Sequence, residues 1–182
     1  NTISAEVSAC EFEEDIVDIL YTTGTTGKSK GVMLSETALV SCADNFISDL
    51  QFTSDLLFII SGPLSHIASL FKMHPVLTVG GTICILDGLK DINAFFDVFE
   101  LPFKKFATFL VPASIRLIMQ FSYERLCQLA DKIDFIETGA APITQHDMEM
   151  LSKALPKSRL YNTLGGTEIG AVCTYNFNDG KY

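Results

Sequence analysis

The sequence predicts an α/β domain built on a mostly parallel sheet with crossover helices. Three observations carry that prediction. Short apolar runs rich in β-branched and aromatic residues recur along the chain, segments of helical spacing separate them, and no internal repeat or low-complexity linker breaks the alternation. The 182 residues, 48% of them apolar, suffice for one domain with a substantial core.

The elements follow in order. Residues 16–21 (IVDILY) read as a strand, and Val32, Met33 and Leu34 as a strand returning beside it. A helix over 36–50 follows, with Ser35 as its N-cap and Glu36 in its first turn. Residues 57–60 (LFII) are apolar throughout, the texture of a strand buried on both faces. Ile67, Leu70, Phe71, His74 and Leu77 form a helical stripe that Pro75 is expected to kink. Residues 82–86 (TICIL) and 106–111 (FATFLV) read as further strands, and Pro112 opens a helix over 113–123. Residues 133–136 (IDFI) make another strand, after which Thr144 caps a helix carrying Met148, Leu151 and Leu155 on one side. Residues 175–182 (YNFNDGKY) offer no evident closing element, so the chain is expected to stop inside a fold.

Composition narrows the function. Thirteen basic against twenty-two acidic residues leave a formal charge of −9, which repels polyanions and argues against a nucleic-acid platform. A small phosphate ligand stays compatible, because amides and a few lysines can reverse the field locally. No apolar run is long enough to span a bilayer. Cys10, Cys42, Cys84, Cys127 and Cys173 are widely spaced, with no C-x-x-C pair and no histidine at metal-site spacing. They read as reduced structural cysteines, and with no visible signal peptide the expected location is cytoplasmic.

The chemistry concentrates in residues 22–31 (TTGTTGKSKG), directly after the first strand. Thr22, Thr23, Thr25 and Thr26 bring hydroxyl donors, Gly24 and Gly27 let backbone amides approach an anion closely, and Lys28 and Lys30 add positive charge. A polyphosphate is the anion such a loop suits. One reading is the P-loop of nucleotide phosphohydrolases, since Gly27-Lys28-Ser29 fits its end and residues 83–87 (ICILD) resemble its magnesium-holding strand. Against it, the opening glycine would fall at Thr22, and Gly31 with Val-Met-Leu suits a strand better than the helix that motif needs. A phosphate loop borne on a strand–loop–strand hairpin is the better geometry.

Residues 19–32 resemble the phosphate loop of the adenylate-forming superfamily: acyl- and aryl-CoA synthetases, luciferases and nonribosomal-peptide adenylation domains. This chain has Ser29 where proline is usual and Glu36 where histidine is frequent, and neither change removes a phosphate donor. Gly62-Pro63-Leu64-Ser65-His66-Ile67 resembles the family segment whose histidine lies beside the acyl pocket, although His66 equally suits a turn and N-cap before a helix. Val111 to Leu117 (VPASIRL by sequence) resembles the strand-to-helix step before that pocket. Gly139, Ala140 and Ala141, within ETGAAPI, resemble the small-residue turn that lies along adenine. Tyr161-Asn162-Thr163-Leu164-Gly165-Gly166-Thr167-Glu168 resembles the motif whose threonine touches the α-phosphate and whose glutamate helps hold Mg2+. Leu164 stands where the family commonly has an aromatic ring that stacks on adenine, and it offers only apolar contact.

The resemblance implies a fragment of the family's large N-terminal domain, residues 1–182 forming a single partial domain with the C-terminal lid absent. The family's ribose-binding aspartate, in a Thr-Gly-Asp setting, has no counterpart after Glu168; the one later acid, Asp179, lacks that setting. It implies ATP-dependent activation of a small-molecule carboxylate to an acyl-adenylate, then transfer to the thiol of coenzyme A or a phosphopantetheine arm. Thr167 and Glu168 would be the catalytic residues, Glu168 the Mg2+ ligand, residues 22–30 and Gly139, Ala140, Ala141, Leu164, Gly165 and Gly166 the ATP/AMP site, and His66 part of the substrate pocket. The isolated fragment is expected to be inactive. A P-loop phosphohydrolase and a non-catalytic nucleotide-binding or assembly protein stand as alternatives. The acid activated and the oligomeric state are not legible.

Overall fold

The computed structural model describes residues 15–23 and 28–179. Strands β1 (Ile16–Thr23) and β2 (Ser29–Ser35) form an antiparallel hairpin, with Tyr21 opposite Gly31 and Thr23 opposite Ser29. Leu20 and Leu34 point to the core, whereas Val17, Ile19, Tyr21 and Met33 lie exposed on the other face. This is the period-two alternation of a ribbon covered on one side.

The main sheet has six strands in the order β4 (Thr82–Ile85), β3 (Leu56–Ile60), β5 (Lys105–Phe109), β6 (Ile133–Gly139), β7 (Arg159–Gly166) and β8 (Gly170–Asn176). All neighbours are parallel except the β7–β8 pair. The expected mostly parallel α/β architecture is therefore present. Every residue of β3 is buried, and its side chains divide by pleat: Leu57 and Ile59 face one hydrophobic core, Leu56, Phe58 and Ile60 the other. Near-continuous apolarity is what a strand covered on both faces requires.

Helices supply the two covering layers. On one face α1 (Glu36–Leu50) and α2 (Ile67–Thr78) join the hairpin against Phe58, Phe135 and Tyr161. On the other, α3 (Ile92–Asp97), α4 (Pro112–Gln128) and α5 (Gln145–Ala154) pack against Phe106, Ile136 and Leu160. Ser35 Oγ accepts from the Ala38 amide at 3.2 Å, fixing the start of α1. Thr144 and Asp147 form a reciprocal capping box at α5, in which each side chain accepts from the other residue's backbone amide.

Several local expectations need correction. Helix α2 continues through Pro75 to Thr78, and its buried face runs through Phe71, Lys72, Pro75 and Val76, leaving Leu77 57% exposed. The expected stripe shares Ile67 and Phe71 with the face that packing selects and departs from it at Leu77, and Lys72 occupies a buried position that periodicity reserves for apolar side chains. Helix α4 extends five residues beyond Tyr123, to Gln128, and is broken at Ser122 (φ −147°, ψ 27°). Strand β5 ends at Phe109, two residues short of Val111. The tail is also tied down: Phe177 is 1% exposed, and Asn178 Nδ2 donates to the carbonyls of Leu155 and Ser158 at 3.1 and 2.8 Å.

Candidate functional site

The C-terminal ends of β5, β6 and β7, roofed by α2, enclose a cavity of about 190 Å³. Open α/β sheets place ligands at this end, where connections diverge to opposite faces. The wall is assembled from three stretches of chain. His66 comes from the entry to α2, Gly139 and Ala140 from the end of β6, and Gly165, Gly166 and Thr167 from the β7–β8 turn. Phe46, Phe71 and Phe109 add an aromatic side.

His66 caps a helix and also borders the cavity. Its Nδ1 accepts from the Ala68 amide at 3.2 Å, at the start of α2. The acceptor role places the neutral ring's proton on Nε2.

Two close approaches explain the glycines. A Cβ at Gly139 would lie 2.5 Å from the Thr163 carbonyl oxygen of the paired strand, and one at Gly165 would lie 2.6 Å from the Gly170 carbonyl oxygen. Ala140, next in the chain, adopts φ +62°, a left-handed conformation that costs a non-glycine residue about 1 kcal/mol or more. Strain of this kind collects where backbone is shaped around a ligand.

The cavity is also bordered by a buried ion pair that sequence reasoning did not single out. Lys72 Nζ donates to Glu137 Oε1 at 2.8 Å, with the side chains 3% and 0% exposed. The ammonium sits 3.4 Å from the Phe46 ring centroid and 5.6 Å from that of Phe109. Burial drives the Lys72 pKa below the ordinary lysine value, and the Glu137 charge and hydrogen bond oppose that shift without reversing it. Nearby, burial pushes the Cys42 thiol up, partly offset by the Ala171 amide. Glu137 Oε2 and Thr138 Oγ1 are buried with no hydrogen-bond partner among the described residues. The one signal in the sequence was Glu137, a charge near the end of an apolar strand.

The remaining motif residues lie elsewhere. Glu168 and Leu164 are exposed, Leu164 at 64%, on and before the β7–β8 turn, and neither they nor Ala141 border the cavity. Thr22 and Thr23 end β1, Lys28 precedes β2 and Lys30 lies within it; none of the four borders the cavity. Gly24, Thr25, Thr26 and Gly27 lie outside the described residues. Lys28 runs directly into strand β2, whereas a P-loop lysine opens a helix. Among the described residues no three His, Cys, Asp or Glu side chains gather as a metal site, and no helix is long and apolar enough to cross a membrane. Cys42, Cys84, Cys127 and Cys173 are free thiols.

Comparison with known proteins agrees with this architecture. A D-alanine--D-alanyl carrier protein ligase of Listeria monocytogenes is 29% identical over 180 residues, covering 91% of this chain and 32% of that protein. A 4-coumarate--CoA ligase-like protein of Arabidopsis thaliana is 30% identical, covering 93% of this chain and 31% of the relative. The chain thus spans about a third of the length of these relatives. The crystal structure of ATP-bound MatB from Rhodopseudomonas palustris superposes with a TM-score of 0.79 at 25% identity, over 97% of this chain and 34% of that one. The family model described as AMP-binding enzyme matches residues 4–182, and the chain belongs to that family.

Proposed function

We propose that this chain is the nucleotide- and acyl-binding part of an AMP-forming ligase that activates a small carboxylic acid and passes it to a thiol. The observation that carries the reading is the meeting of Gly139 and Ala140, Gly165 to Thr167 by way of the β7–β8 turn, and His66 around one cavity at the C-terminal ends of parallel strands. The carboxylate attacks the α-phosphorus of ATP, forming an acyl-adenylate and releasing pyrophosphate; a thiol of coenzyme A or a phosphopantetheine arm then displaces AMP. Positioning and charge neutralisation of the phosphoryl oxygens supply most of the catalysis.

In this reading Thr22, Thr23, Lys28 and Lys30, with the loop between them, hold the β- and γ-phosphates. Thr167 donates to the α-phosphate, and Gly139 to Ala141 with Leu164 to Gly166 flank the adenine. Glu168 presents one exposed carboxylate beside Thr167, which suits Mg2+, an ion that takes one or two protein carboxylates and completes its shell with phosphate oxygens and water. When bound, that ion would neutralise phosphate charge. His66 bounds the acyl end.

A chimera carrying this chain in place of the matching third of a full-length relative tests the reading by carboxylate-dependent ATP–pyrophosphate exchange. Exchange is expected, and Glu168→Gln is expected to abolish it. Undiminished exchange by that variant removes the metal role of Glu168; no exchange with any acid, in a folded chimera, removes the reading.

A further inference from the structure

The opposite end of the sheet holds a second hollow. About 200 Å³ in volume, it lies at the N-terminal ends of β5 and β6, lined by Lys104, Lys105, Lys132 and Lys157 together with Asp131 and Asp134. Three successive connections, those entering the neighbouring strands β5, β6 and β7, each bring lysine to this one spot. We propose that the hollow is a binding site for the hydrogen phosphate dianion. The inference does not depend on the adenylation reading, because none of these residues borders the cavity at the other end of the strands.

Charge is the first ground. Four of the thirteen basic residues of a chain with net charge −9 meet here. Set against the two aspartates, they leave the wall with two positive charges. Just outside it Arg159 pairs with Asp134 at 2.7 Å and Asp55 with Lys105 at 3.1 Å, and these outer charges cancel. A compact dianion matches that surplus, whereas an extended polyanion would also meet the field of a chain that is acidic as a whole.

The donors are also available. The Lys104 ammonium has no partner among the described residues. Lys132 Nζ donates to the Phe99 carbonyl at 2.7 Å, which anchors the side chain and leaves its other N–H groups for a ligand. Lys157 pairs with Asp131 at 2.8 Å with both side chains largely exposed, so its ammonium re-aims at little cost. Ammonium groups act as point charges on a tetrahedral anion. A planar carboxylate is better held by the arginine fork, and Arg159 is committed to Asp134 and the Leu50 carbonyl. The aspartates then select among dianions. Lys157 occupies Asp131 Oδ1 and Arg159 occupies Asp134 Oδ2, which leaves one oxygen of each carboxylate as an acceptor. Sulfate offers only acceptors and is repelled there. Hydrogen phosphate carries one O–H that donates to a carboxylate while its other oxygens take the lysines.

The test is titration of the isotope-labelled chain with sodium phosphate or sodium sulfate at constant ionic strength and about pH 7.5, read by backbone amide shifts in NMR. Phosphate is expected to shift the amides of residues 104–105, 131–134 and 157 saturably, and to bind about 5- to 10-fold more tightly than sulfate. Lys104→Gln/Lys157→Gln, which changes two exposed side chains, is expected to weaken phosphate binding at least ~10-fold. Asp131→Asn is expected to tighten sulfate binding about 2- to 5-fold and so narrow the preference for phosphate. Shifts that follow ionic strength alone, equal binding of sulfate, or phosphate binding undiminished in the double lysine variant each overturn the inference. An unchanged preference in Asp131→Asn overturns the selection by that carboxylate. Shifts confined to Gly139 and Gly165 to Thr167 also overturn the inference, and would place phosphate in the cavity of the adenylation reading instead.

Discussion

Replacing Glu137 with leucine strands a single charge inside the protein. In the Glu137→Leu variant the Lys72 ammonium, 2% exposed, loses its carboxylate partner and keeps the Phe46 and Phe109 rings near it. At 2.8 Å the pair's attraction is about 6 kcal/mol with an effective dielectric constant of ~20. Breaking a buried pair by removing one partner costs about 3–5 kcal/mol. Lysine has an escape, because it can fold in its neutral form. From its ordinary pKa of 10.5, deprotonation at pH 7 costs about 5 kcal/mol, and at pH 9 about 2 kcal/mol. The sign follows from proton binding. With a neutral Lys72 in the folded variant the unfolded chain binds more protons, so the variant gains stability as pH rises toward 10.5. Urea denaturation at both pH values reads the effect, and Lys72→Met/Glu137→Leu is expected to return to within about 1 kcal/mol of the parent chain. A loss under ~1 kcal/mol in Glu137→Leu at pH 7, or a loss that does not shrink at pH 9 relative to the parent chain, would refute the claim that these charges are paired and shielded from water.

Two other expectations test the site's framework. Gly139→Ala places a Cβ 2.5 Å from the Thr163 carbonyl oxygen, so β6 and β7 must part; a loss of about 1–3 kcal/mol in thermal unfolding is expected, with weaker MgATP binding, and an unchanged melting temperature would contradict the close approach. At Asp147, burial raises the pKa, but the hydrogen bonds of Thr144 and Arg116 together outweigh it and hold the carboxyl below its ordinary 3.8. That stability is present above about pH 4 and is lost as pH falls through the folded value. Asp147→Asn is expected to cost about 1 kcal/mol near neutral pH and progressively less in acid, because Arg116 is half exposed; a pH-independent difference in urea midpoints would remove the carboxylate's charge as the cause.

Most of the fold was legible because most elements carry their own local signal. β1, β3 and β6 are apolar runs, α1 and α5 begin at Ser35 and Thr144, and Pro112 opens α4. The elements that escaped lack such a signal. β7 contains Asn162-Thr163-Leu164-Gly165-Gly166, which spells a turn by composition, yet pairing with β8 throughout and with β6 as far as Thr163 holds it extended. α3 is a six-residue helix capped by Asp91 and kept in place by Phe95 and Phe96, too short for periodicity to show. Of the site, the small-residue stretches at Gly139 and Gly165 were legible because glycine marks backbone that must come close to something. Lys72 was hidden by its neighbours, since a lysine in an apolar helix reads as an outward-facing residue until the helix is docked.

The amino-acid sequence by itself determined where chain turns sharply, where strands and helices begin, and which stretches are rich in glycine and hydroxyl residues, because each depends on residues within a few positions of one another. The tertiary structure alone decided which of those stretches share a cavity. Lys72 and Glu137 are 65 positions apart and meet only because α2 packs across the end of β6, and Thr163 faces Gly139 only because β7 takes its place beside β6. Strand order and helix rotation are settled by burial of apolar surface over the whole sheet, and that collective balance drew a lysine and a glutamate out of water together.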